Sequence, residues 1–191
     1  MKRITGFAVL LVVLATPAWA GFDEGLAAYD RGDYATAFEE WLPIAEQGDA
    51  RAQYALGAIY DHGYGLPQDY AEAIKWYRMA AEQGVADAQS DLGTKYYIGQ
   101  GVPQDFTDAE RWWHMAAEQG FASAQINLGS MYGKGKGVPQ DYVRAHIWFS
   151  LAAAQGNEIG RKNRDIVAKI MTPAQITEAQ RRAAKWRPSG Q

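Results

Sequence analysis

Residues 84–119 read GVADAQSDLGTKYYIGQGVPQDFTDAERWWHMAAEQ, and the chain writes this 36-residue unit three times without insertion, from Gly48, Gly84 and Gly120. The copies agree at Ala52/Ala88/Ala124, Leu56/Leu92/Leu128, Gly57/Gly93/Gly129 and Tyr60/Tyr96/Tyr132. They agree again at Gly63/Gly99/Gly135, at Gly65/Gly101/Gly137, in Pro-Gln-Asp at 67–69, 103–105 and 139–141, and at Ala73, Trp76 and Ala80 with their counterparts. Self-similarity at a fixed period of this size marks a solenoid, because one unit alone cannot bury its apolar face and must stack on the next. The expected fold class is all-α, a solenoid of antiparallel helix pairs.

Within each copy Ala52, Leu56 and Tyr60 recur every fourth residue and make one stripe of a first helix. Gly63 falls where a left-handed residue closes that helix. After the loop, Asp69 is placed to cap a second helix, with Glu72 as capping-box partner. Asp105 and Asp141 repeat the cap, but Asp108 and Arg144 replace the glutamate. In the second helix Ala73, Trp76 or Tyr77, and Ala80 share one face, small residues allowing close approach and large ones filling the remaining volume.

The flanks read differently. Residues 21–47 form a shorter, tetratricopeptide-like repeat, with Arg31-Gly32-Asp33 turning between two helices and Pro43 kinking or starting the second. Residues 156–187 replace the repeat's Ala, Leu and Gly by Gly160, Arg164 and Asp165, as expected of capping helices with a polar outer side. Thr172-Pro173-Ala174-Gln175 supplies an N-cap, an N1 proline and a capping-box glutamine for the last helix. Residues 188–191 read as a frayed tail. Residues 1–20 carry Lys2 and Arg3, the apolar run Phe7–Ala15 and Ala18-Trp19-Ala20, the pattern of a cleaved signal peptide. That run is too short to span a bilayer, which takes roughly 20 residues. A mature chain from Gly21, periplasmic or secreted, with no membrane-spanning segment after cleavage, is the expectation.

The chain has no cysteine, so packing alone holds the fold. Residues 21–155 carry 9 basic and 19 acidic side chains, and residues 156–191 carry 8 basic and 3 acidic. An acidic array repels phosphates and argues against nucleic acid. Arg181, Arg182, Lys185 and Arg187 read as the solvated, dipole-matched end of the last helix.

The pattern Ala-x3-Leu-Gly-x2-Tyr-x2-Gly-x-Gly-x-Pro-x-Asp-x3-Ala-x2-Trp resembles the Sel1-like repeat, a longer-looped relative of the tetratricopeptide repeat. The likeness covers residues 48–155 in three copies (48–83, 84–119 and 120–155). It implies a right-handed α-solenoid, first helices lining a concave surface, and a protein-interaction role at the bacterial envelope. A cysteine-rich branch of that family is associated with penicillin binding or weak β-lactamase activity. This chain departs from that branch at its defining feature.

No catalytic motif stands out. His62, His114 and His146 occupy three different repeat positions and match no metal spacing. Gly129 to Gly135 has three residues between its first two glycines where a phosphate loop needs four. No cofactor is expected, and no enzyme. Specificity should lie where the copies differ on the first helix. Those positions give a candidate partner-binding face of Tyr54, Asp61, His62, Thr94, Tyr97, Ile98, Ile126, Ser130 and Lys134, in which Tyr54, Tyr97 and Ile98 would be the exposed anchors. The functional expectation is an exported, non-catalytic scaffold for a protein or peptide partner. The alternative is a cell-wall or β-lactam-binding protein.

Overall fold

The computed structural model describes residues 18–189, all of whose regular elements are helices. The signal peptide expected over residues 1–20 lies, as far as residue 17, outside the described residues. The helices are α1 (Ala18–Asp30), α2 (Tyr34–Glu46), α3 (Ala50–His62), α4 (Tyr70–Glu82), α5 (Ala86–Ile98), α6 (Phe106–Glu118), α7 (Ala122–Lys134), α8 (Tyr142–Ala154), α9 (Glu158–Ala168) and α10 (Pro173–Lys185). From α1 to α8 each helix packs on the one that follows it, and α10 packs on α8. No described helix is long and apolar enough to cross a membrane.

The loops are built identically because their chemistry is. Gly63, Gly99 and Gly135 close the first helices at φ of 70°, 73° and 64°, which a residue with a Cβ adopts only with strain. Asp33, Asp69, Asp105 and Asp141 then cap α2, α4, α6 and α8 through backbone N–H groups of the first turn. The box expected at Asp69 is not closed. Glu72 pairs with Lys75 instead, and the reciprocal box forms at Thr172 and Gln175. Pro43 lies inside α2, near its end, where the Gln47 amide donates to its carbonyl at 2.9 Å.

Two contacts repeat along the stack. Gly57, Gly93 and Gly129 sit under the rings of Tyr77, Trp113 and Phe149, so closely that a Cβ on Gly93 or Gly129 would approach the ring to 2.6 Å. The aromatic held against the glycine is therefore the variable second one of each pair, not the repeat-invariant Trp76 or its counterparts. The other contact is a ladder of buried glutamines. Gln53, Gln89 and Gln125 donate to the carbonyls of Ala45, Ala81 and Ala117 in the preceding repeat at 3.0, 3.0 and 3.2 Å. Each accepts from the last glutamine of its own repeat, Gln83, Gln119 or Gln155, at 2.7–3.0 Å. Each amide thereby satisfies groups of two repeats that burial would otherwise leave unpaired.

The apolar core falls into two clusters, one over α1–α3 and one from α4 to α10. The end of the array differs from expectation. Besides the polar Arg161, Lys162 and Asp165, α9 and the turn after it expose Ile159, Ile166 and Ile170, each more than half accessible. The tail is also fastened at its start: the Ser189 N–H donates to the Glu118 carbonyl at 2.7 Å, and Pro188 lies close to Gly120.

Candidate functional site

The first helices α3, α5 and α7 carry the variable positions, and the structure sorts them into three groups. Asp61 is not presented to solvent. Its carboxylate is buried in an ion pair with Lys95 and accepts from the Tyr77 hydroxyl at 3.3 Å. Lys95 also donates to Gln100 Oε1 at 2.6 Å. Burying a lysine this deeply is costly without such partners.

A second group is half-buried and structural. The Tyr54 hydroxyl donates to Asp91 Oδ2 at 3.2 Å, and its ring leans on Tyr77. Burial, then the Asp91 carboxylate, pushes the Tyr54 hydroxyl well above the ordinary tyrosine range. Tyr97 packs against the rings of Trp113 and Phe106, with Lys136 Nζ 4.4 Å above its own. Thr94 turns its hydroxyl back onto the Ser90 carbonyl at 3.0 Å, and Ile126 packs against the core. Tyr54 and Tyr97 are thus not the free anchors expected of them.

The third group is accessible. Ile98 is 52% exposed, and His62 stands beside the Tyr64 ring with its side chain reaching solvent. Ser130 and Lys134 meet in a groove of about 310 Å³ between α7 and α9, floored by Phe149 and walled by Ile166, Val167 and Ile170. Lys134 has no ion-pair partner among the described residues, so the groove pairs an apolar wall with a free cation. Ile166 and Ile170 escape a reading of the sequence because the repeat alignment ends before α9.

The histidines remain apart on α3, α6 and α8. His146 is buried with its Nδ1 3.2 Å from the Ser150 hydroxyl, and burial lowers its affinity for a proton. No group of three described His, Asp or Glu residues is placed to hold a metal ion.

Helix pairs stacked with aromatic rings over invariant glycines, and with a variable face on the first helices, define a helical-repeat scaffold. Sel1 repeats are recognised at residues 50–85, 86–121 and 122–157. The chain belongs to the Sel1 repeat family. It is similar to a protective antigen present in uropathogenic Escherichia coli strains that displays an SLR fold, at 34% identity over 88% of this chain, with a TM-score of 0.81. It spans 37% of the length of that antigen. It is also similar to a Sel1 repeat protein from Oxalobacter formigenes, at 45% identity over 66% of this chain and 96% of that one, with a TM-score of 0.61. No curated protein sequence matches it.

Proposed function

We propose that this chain is an exported scaffold that holds a protein or peptide partner on its first-helix face, as adaptor, assembly factor or regulator of an envelope partner. The observation that carries the reading is the groove between α7 and α9, where exposed Ile166 and Ile170 stand beside the free cation of Lys134. Apolar anchors with one charge to fix orientation suit a peptide segment bearing aliphatic and acidic side chains. The pattern of residues 1–20 supports export. So does the likeness to an antigen that protects, since such a protein is met by the host.

Photo-crosslinking in intact cells from positions 98 and 130 tests the partner, with position 75 on α4 as control. A discrete adduct from the first-helix positions, lost in Lys134→Glu/Ile166→Asp, is the expected outcome. Adducts only from position 75 would place the partner on the other face. Deleting residues 2–20 should leave the protein in the cytoplasm; unchanged fractionation would remove the export half of the proposal.

A further inference from the structure

A second cavity, larger than the α7–α9 groove, lies mainly among the second helices. It measures about 680 Å³, within the range of small-ligand sites, and opens between α6, α8 and α10. Its α6 wall is acidic: Glu110 and Glu118 line it, with His114 between them. The opposite wall, on α10, is basic, from Arg182 and Lys185. Between the walls lie Ile147, Trp148 and the indole of Trp186.

These charges do not neutralise one another across the gap. Glu110 accepts from the Tyr132 hydroxyl, and Glu118 meets His114 Nδ1 at 3.3 Å. Arg144, which also lines the cavity, is engaged by Asp141 at 3.4 Å and donates to the Tyr132 hydroxyl at 3.5 Å. Arg182 and Lys185 make no ion pair or side-chain hydrogen bond with any described residue, although their neighbour Arg181 pairs with Glu178 at 2.8 Å. Two carboxylates and two unpartnered cations therefore share one cavity without closing on each other. A purely anionic ligand would meet Glu110 and Glu118; a purely cationic one would meet Arg182 and Lys185. A ligand bearing both charges at a distance, with an apolar middle, suits both walls and the indole floor.

We propose that this cavity binds a short zwitterionic peptide, its free carboxylate towards Arg182 and Lys185, its ammonium towards Glu110 and Glu118, and an apolar side chain on Trp148 and Trp186. Both termini of such a peptide are charged at neutral pH, since an α-carboxyl titrates at about 3.5 and an α-amino group at about 8. The site shares no lining residue with the α7–α9 groove and does not depend on partner binding there. The packing of α10 across α8, with the tail tied to α6, brings the basic wall opposite the acidic one.

Isothermal titration of the purified chain with Ala-Leu-Ala, its C-terminal amide and its N-acetyl form tests the assignment. Saturable binding of the free peptide is expected, with each blocked form weaker by about tenfold or more, as befits loss of a charge-assisted contact. Arg182→Gln/Lys185→Gln should bind the free and amidated peptides alike while still preferring the free amine. Glu110→Gln/Glu118→Gln should show the reverse, and the amide it places at position 110 retains an acceptor for the Tyr132 hydroxyl. Equal binding of all three peptides by the unmodified chain, discrimination unchanged in both variants, or no binding up to about 10 mM peptide would overturn the proposal.

Discussion

A Cβ built on Gly93 would stand 2.6 Å from Cδ1 of Trp113 and 2.8 Å from its Nε1, distances that real side chains do not tolerate. The indole has little room to withdraw, because its N–H donates to the Ser90 carbonyl at 3.1 Å and both partners are buried. Two effects of opposite sign act in Gly93→Ala. Alanine favours a helix interior by roughly 1 kcal/mol, whereas overpacking a filled contact costs about 1–3 kcal/mol. The second should win, lowering the thermal midpoint by a few degrees for a chain of this size. Trp113→Leu makes room but leaves a cavity and removes one of the donors to the Ser90 carbonyl, which keeps the Thr94 hydroxyl, so alone it is also destabilising. Combined with Gly93→Ala it should be less harmful than the two changes summed, with a coupling of about 1 kcal/mol or more. Strict additivity in denaturant titrations of the four proteins would mean that the glycine is not there to admit the ring.

At the scale of helices, α3 and α5 are joined across α4 by an ion pair and a side-chain hydrogen bond. Asp61 with Lys95 and Tyr54 with Asp91 tie the two together beside Tyr77, near the division between the two apolar clusters. Asp91 is held at a disadvantage: burial raises its carboxyl to about 6, with Asp61 and Asp87 adding to the rise and the Tyr54 hydroxyl and Lys95 opposing it. An unfolded chain would show the ordinary value of about 3.9. Between about pH 4 and 6 the folded state therefore binds more protons than the unfolded one, so Asp91 makes stability fall as pH rises through that window. The whole penalty, up to about 3 kcal/mol, is present at pH 7. Asp91→Asn keeps an acceptor for Tyr54 without the charge, and should raise stability at pH 7 while flattening the slope between about pH 4 and 6. A variant less stable at pH 7 would show that the ionised carboxylate is needed by its neighbours. Such pairing is not legible in the sequence. The helix caps are, because Asp69 and the backbone groups it satisfies lie within three residues. Asp61 and Lys95 are 34 residues apart, and the copies offer no guide: Tyr97 and Gly133 stand where Asp61 does, Ile59 and Met131 where Lys95 does. In the sequence, variation on the first helix reads as a surface for partners. Part of it instead records which pairs of helices touch, since a position facing a neighbour can vary when the neighbour varies with it.

The molecule as a whole has contacts chiefly between consecutive helices, and the main departure is α10, which passes over α9 to pack on α8. In such an array stability is a sum of local terms, and units at the end with few neighbours open first. The seating of α10 is shallow. Of its residues only Ala179 is fully buried, and Trp186, just beyond it, stands between the charged cavity of about 680 Å³ and a second one of about 430 Å³ beside Gly120 and Leu151. Trp186 and the bond from Ser189 to the Glu118 carbonyl are what tie its far end to α6 and α8. Trp186→Ala should therefore speed amide hydrogen exchange over residues 173–185 by about tenfold or more, the counterpart of roughly 1.4 kcal/mol in local opening. Helices α3 to α5, far from the indole, should exchange as before. Because Trp186 also floors the charged cavity, loss of Ala-Leu-Ala binding should accompany the faster exchange. Acceleration spread evenly from α1 to α10 would show instead that the array opens as one cooperative body, with the last helix as firmly held as the repeats it closes.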